Sequence, residues 1–224
     1  MKSRIAFLTI ILLALAATPA VAQYDLYDNG PINGTLNAWT INFGFVVSDS
    51  FTAMGEVSGV SFGAWLFPGD VLQSAEVSIT SAEFGGTTYF DGTVRFAQSA
   101  CVGNQYGFNV CTETGSFNAF LNAGTYWLNL QNAVVNTGDP VYWDENFGGP
   151  ASHAWPQSLA SENSVGTIPS ESFSILGMCG AGAGCASAGA ASGTPEPSTL
   201  LLLGSVSVAL LGVGKMRRFF GGGA

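Results

Sequence analysis

Trp39-Thr40-Ile41-Asn42-Phe43-Gly44-Phe45 is the stretch that decides the fold class. Its apolar side chains, Trp39, Ile41, Phe43 and Phe45, fall on one face of an extended chain, and Thr40, Asn42 and Gly44 on the other. That period of two marks a half-buried β-strand. The same reading predicts strands over Val57–Leu66, Val71–Thr80, Thr88–Phe96, Gly107–Cys111, Ser116–Leu121, Tyr126–Gln131 and Ser172–Leu176. Turn sequences separate them, among them Asp28-Asn29-Gly30-Pro31, Pro68-Gly69-Asp70, Gly85-Gly86, Asp91-Gly92 and Asn122-Ala123-Gly124. No segment of the body keeps an apolar period of 3.6, which argues against crossover helices and a parallel sheet. The expected fold is all-β, an antiparallel β-sandwich of jelly-roll type with about eight strands. Two near-copies, Ser48-Asp49-Ser50-Phe51 and Ser170-Glu171-Ser172-Phe173, are expected on neighbouring strands.

Composition supports a packed body. Of 224 residues, 47% are hydrophobic, 9% charged and 30 are Gly, which suits a turn-rich β-domain rather than a disordered chain. All 15 acidic residues lie between Asp25 and Glu196, whereas of the 6 basic residues only Arg95 lies in the body. Such a body repels polyanions, so nucleic acid is not an expected partner.

The basic residues belong to two terminal segments. At residues 1–22, Lys2 and Arg4 precede an apolar run from Ile5 to Ala17, and Ala20-Val21-Ala22 follows as a small-residue cleavage site. These are the parts of a secretory signal helix, with the mature chain starting at Gln23. The body then covers 23–176, and 177–194 is a Gly/Ala/Ser-rich linker that cannot bury a core. Beyond it, at 195–218, Pro195-Glu196-Pro197 holds the chain extended. An apolar helix over 199–214 comes next, at the short end of what crosses a bilayer, and Lys215, Arg217 and Arg218 would keep its far end cytoplasmic.

A Pro-Glu-Pro motif, an apolar helix and a terminal basic cluster, in that order, resemble a PEP-CTERM sorting signal. The same tail also goes under the description ice-binding protein C-terminal domain, which says nothing about ice, because the tail is an address shared by unrelated bodies. The resemblance implies export through the inner membrane of a Gram-negative cell by the Sec machinery. It further implies cutting near Glu196 by exosortase, transient membrane anchoring, and a final place in the envelope, on the surface or in an exopolysaccharide matrix. The segment from Asp28-Asn29-Gly30-Pro31 to Pro68-Gly69-Asp70 resembles a body recurrent among proteins with this tail, and that likeness implies no activity.

Four cysteines fit an exported compartment. Three pairings are open, and closeness in sequence favours Cys101 with Cys111 and Cys179 with Cys185. Neither pair has zinc-site spacing. His153 is the only histidine, and no nucleophile, metal-protease or nucleotide motif accompanies it, so no catalytic residue is assigned.

The densest candidate for ligand contact is Tyr142-Trp143-Asp144-Glu145-Asn146 with Trp155 further along. Aromatic rings beside carboxylates and an amide are the usual means of stacking and hydrogen bonding a sugar. The competing reading makes Trp143 a strand-end core residue, with Asp144 and Glu145 in local turn bonds. Trp39, Trp65 and Trp127 are expected in the core. Asp25, Asp28 and Asn29 are a candidate calcium set, which an Asx-turn explains equally well; no other cofactor is expected. The expectation is therefore a non-enzymatic, sorted surface or matrix protein, with a carbohydrate-binding module as the alternative and a hydrolase as the remaining reading.

Overall fold

The computed structural model describes residues 23–146 and 158–178. The signal segment, the chain beyond Met178 with its Pro-Glu-Pro motif and basic cluster, and His153, Trp155, Cys179 and Cys185 lie outside the described residues. Among the described residues no helix is long and apolar enough to cross a membrane.

The described chain is all-β. Its strands are β1 (Gln23–Asp28), β2 (Ala38–Thr40), β3 (Val46–Leu66), β4 (Leu72–Ala82), β5 (Gly85–Gly103), β6 (Asn109–Val135), β7 (Tyr142–Asp144), β8 (Ala160–Glu162), β9 (Gly166–Ile168) and β10 (Phe173–Met178). They form one antiparallel sheet whose main path runs β1-β10-β3-β6-β4-β5. The spine is the β3–β6 pair, in register from Val46↔Gln131 to Leu66↔Asn109. β4 flanks the C-terminal part of β6 and β5 its N-terminal part, while β5 also pairs with β4 up to Ser74↔Arg95. β5 therefore changes neighbour between Arg95 and Phe96. With its long strands running through both halves, the sheet is consistent with a β-sandwich.

Alternation along these strands sends one face inward. Phe51, Phe62, Leu66, Val77, Ile79, Leu121, Leu128, Leu130 and Ile175 are buried in one apolar cluster. Burying each such side chain contributes about 1.5 to 3 kcal/mol. Aromatic edges join its parts: Phe62 meets Phe96 at 5.3 Å and Trp143 at 6.0 Å between centroids. Trp65 is buried, and Trp39 packs against the cluster half-buried.

The long strands bend where β3 carries register shifts, between Ala53 and Gly55 and between Val57 and Gly59. At the second bend the backbones nearly touch. A Cβ on Gly59 would overlap the Gly115 carbonyl oxygen, a backbone atom that cannot swing aside, and would lie 3.1 Å from the Ser116 Cα. Gly59→Ala is therefore expected to wedge β3 from β6 and destabilise the fold by about 3 kcal/mol. Urea unfolding measures this, and a midpoint equal to the parent's would refute the close approach.

The opening stretch is only partly a strand. β2 ends at Thr40, Ile41 still bonds through its backbone to Val141 and Ala133, and Phe45 N–H donates to the Asn42 carbonyl at 3.1 Å across a turn with Phe43 at φ 57° and Gly44 at φ 89°. That turn leaves Ile41 buried but rotates Phe43 out to 64% exposure. The three strands expected between Gly107 and Gln131 are one strand, β6, because Asn122-Ala123-Gly124 stays extended. β1, β8 and β9 were not expected, and β10 continues through Gly177 and Met178, so these two residues belong to the sheet rather than to the linker. Cys101 and Cys111 are bridged, joining the end of β5 to the start of β6 around a loop that holds Tyr106 and Phe108. In the chain-entropy account such a crosslink contributes about 2 to 3 kcal/mol.

Candidate functional site

Asp144 ends β7 and turns its carboxylate inward. Oδ2 accepts from Asn33 N–H at 2.6 Å and from Ser172 Oγ at 3.2 Å. Oδ1 accepts from Gly34 N–H at 2.9 Å and from the Trp65 indole N–H at 2.6 Å. Room for this comes from Gly63, where a Cβ would lie 2.9 Å from the Asp144 Cβ and 2.6 Å from Ser172 Oγ. Burial raises the Asp144 pKa, and the four donors pull it the other way. Chemically this is a clamp: one carboxylate fixes the loop after β1, an aromatic ring of β3 and the entry to β10.

Beside it lies a second buried carboxylate pair, made from the two near-copies. Asp49 of β3 accepts from Glu171 N–H at 2.7 Å through Oδ2. Asn29 sits between them, its amide donating to Ser170 Oγ at 2.7 Å, to Ser158 Oγ at 2.9 Å and to the Glu171 carbonyl at 2.6 Å. Asn146 donates to the Asn29 carbonyl, and the backbones at Glu145 and Glu171 pair in an isolated antiparallel bridge. Asp49 Oδ1 and both Glu171 side-chain oxygens have no partner among the described residues. Burial pushes the Asp49 pKa up to about 7. Burial first, and then the charges of Asp49, Glu145 and Asp144, push Glu171 well above the ordinary carboxylate range. Carboxylic acids in such surroundings hold their protons rather than present charge to solvent.

The expected placing of the near-copies on neighbouring strands holds only in part: Ser48–Phe51 lies within β3, whereas of the second copy only Phe173 is in β10, which pairs with Val57–Phe62, and Phe51 meets Phe173 edge-on at 6.2 Å. Trp143 does not present a face to a sugar. It is 0% exposed, its ring packs on Phe62 and Phe173, and its indole N–H donates to the Ser172 carbonyl at 2.9 Å. Asp144, Glu145 and Asn146 are likewise buried, and Tyr142 is half-buried. Of the two readings of Tyr142–Asn146, the stacking platform gives way to the core segment, because the β7 pairings with β2 and β3 place Trp143 inside the fold.

Of the two readings of Asp25, Asp28 and Asn29, the Asx-turn is the one formed. Asp28 Oδ1 accepts from Gly30 N–H at 2.9 Å and closes the Asx-turn, while the Asn29 side chain points inward to Asp49 and Ser170. Among the described residues no group of three or more His, Cys, Asp or Glu side chains is placed to hold a metal ion. Sequence reasoning missed Asn29, Asp49 and Glu171 as one centre. The repeated Ser-acid-Ser-Phe pattern was the signal that pointed to it.

No family model and no curated protein sequence matches the chain.

Proposed function

We propose that the chain is an exported surface or matrix protein without enzymatic activity, held briefly in the membrane by its tail and released or transferred by an exosortase. The observation that carries this reading is the order of parts at the C-terminal end: Pro195-Glu196-Pro197, then an apolar run, then Lys215, Arg217 and Arg218. A basic, apolar and small-residue N-terminal segment ending at Ala22 supports it independently. The body agrees in two respects. Its Cys101–Cys111 disulfide is of the kind that persists in oxidising compartments. Its carboxylates at Asp144 and Asp49 accept backbone N–H groups, and Glu171 is buried beside them, so none of the three lines an open cleft. We read the sheet as a jelly-roll-like sandwich that acts by cohesion within secreted polysaccharide.

In a host that carries an exosortase, replacing Pro195, Glu196 and Pro197 with Ala is expected to leave the chain uncut and in the membrane fraction. Immunoblots of fractionated cells report this through the size and place of the product. Unchanged processing would overturn the sorting reading.

A further inference from the structure

A cavity of about 420 Å³ opens between the loop after β1 and the disulfide-closed end of β5 and β6. Its volume falls in the range of about 300 to 1,000 Å³ typical of small-molecule sites. Its wall carries no charged side chain. Asn33, Thr35, Asn104, Gln105 and Thr112 supply amides and hydroxyls, and Val102 and Val110 supply apolar surface. Beside it stands Tyr106, 55% exposed, with one face stacked on Trp65 at 5.6 Å and 21°.

The wall is braced from behind. Asn104 Nδ2 donates to the Gly34 carbonyl at 3.2 Å, and Gln105 Nε2 and Tyr106 Oη donate to the Thr35 carbonyl at 2.8 and 3.3 Å. Asn33 and Gly34 are held in turn by Asp144, which also holds the indole under Tyr106. Loop, hairpin and aromatic ring are thus fixed by one buried carboxylate, and their arrangement does not wait for a ligand to form. After these bonds the Asn33 amide N–H₂, the Gln105 amide oxygen and the Thr112 hydroxyl have no partner among the described residues.

We infer that this cavity is a binding site for an uncharged sugar. Free donors and acceptors of both kinds, carried by neutral groups, match hydroxyls that also donate and accept. Val102, 69% exposed in the wall, matches the C–H face of a pyranose ring, and Tyr106 stands at the margin next to Gln105. No basic group lines the cavity to pair a carboxylate, sulfate or phosphate, and a body whose 14 acids face a single arginine disfavours acidic glycans. The inference goes beyond the sorting reading and does not depend on it.

The test is an amide NMR titration of the ¹⁵N-labelled full chain in detergent with cellobiose, maltose, N,N′-diacetylchitobiose and, as the charged comparison, digalacturonate. At least one neutral disaccharide is expected to shift the amides of Asn33–Thr35 and Asn104–Gln105 saturably, and digalacturonate is not. Gln105→Ala should weaken that binding at least tenfold. Val102→Trp, which fills the cavity from an exposed position, should abolish it with amide dispersion retained elsewhere. No saturable shift with any neutral sugar, equal shifts with digalacturonate, or shifts confined to another face would each overturn the inference. A chain that binds none of these sugars but is still cut at its tail overturns this inference alone.

Discussion

Thermal unfolding is expected to become easier as the protein is taken from pH 5 to pH 8. The cause is a set of acids that the fold keeps protonated. Burial pushes Asp49 up to about 7 and Glu113 up to about 8, and Glu171 is raised well above its ordinary value. In the unfolded chain these groups release their protons near pH 4. Between those values the folded state binds more protons than the unfolded one, so stability has a negative slope against pH. Their contribution is complete below the unfolded values and is lost as pH rises through the folded ones. Among the described residues nothing basic offsets this. Glu171 faces Asp49 from β3 and Asp144 and Glu145 from the β7 end, both Glu113 oxygens lack partners among the described residues, and Arg95 is exposed on β5. A tenfold difference in proton affinity between the folded and unfolded chain is worth about 1.4 kcal/mol, so Asp49 and Glu113 alone set a fall on the order of 5 to 7 kcal/mol, or roughly 10 to 20 °C in Tm. Scanning calorimetry at the two pH values reads it, and Glu113→Gln should flatten the slope by about a third, leaving Asp49 and Glu171 to titrate. A Tm that is level or rises with pH would show that these carboxyls are ionised in the fold.

The second large effect is expected from Asp144→Ala. Removing the carboxylate strands four donors in the interior: the N–H groups of Asn33 and Gly34, the Trp65 indole N–H and the Ser172 hydroxyl. A buried donor left without a partner costs about 1 to 3 kcal/mol, and partial relaxation brings the expected total to about 4 kcal/mol. Asp144→Asn should recover little, because its N–H₂ would face donors on one side. Hydrogen exchange distinguishes this from a general loosening. Asn33 and Gly34 should lose protection first, while amides of the β3–β6 spine keep theirs. Unfolding free energy within about 1 kcal/mol of the parent would refute the clamp.

Much of the sheet was legible because burial on one face writes itself as alternation, and β4 reads that way directly, while the second half of β3 is buried on both faces. Asn122-Ala123-Gly124 misled because Gly and Asn permit a turn without requiring one, and the long pairing with β3 kept the chain extended there. Phe43 misled in the opposite sense: a left-handed backbone at Phe43 and Gly44 breaks the alternation while leaving its letters intact. Of the interior centre, the acids and the two Ser-acid-Ser-Phe copies could be seen. What joins them could not, since Asn29 reaches partners 20 to 142 residues away. Trp143 showed the ambiguity most plainly, because an aromatic beside two acids reads alike for a sugar platform and for a strand entering the core.

The place of β10 between β1 and β3 constrains the history of every molecule. The first strand has no partner on the main path until the last has been inserted, with Gln23 opposite Met178. A nascent chain still lacking Phe173–Met178 therefore holds a loose N-terminal ribbon and an open edge on β3, however much of the spine has formed. Completion of the sheet waits for Phe173–Met178, and a chain terminated before them carries its own defect on display.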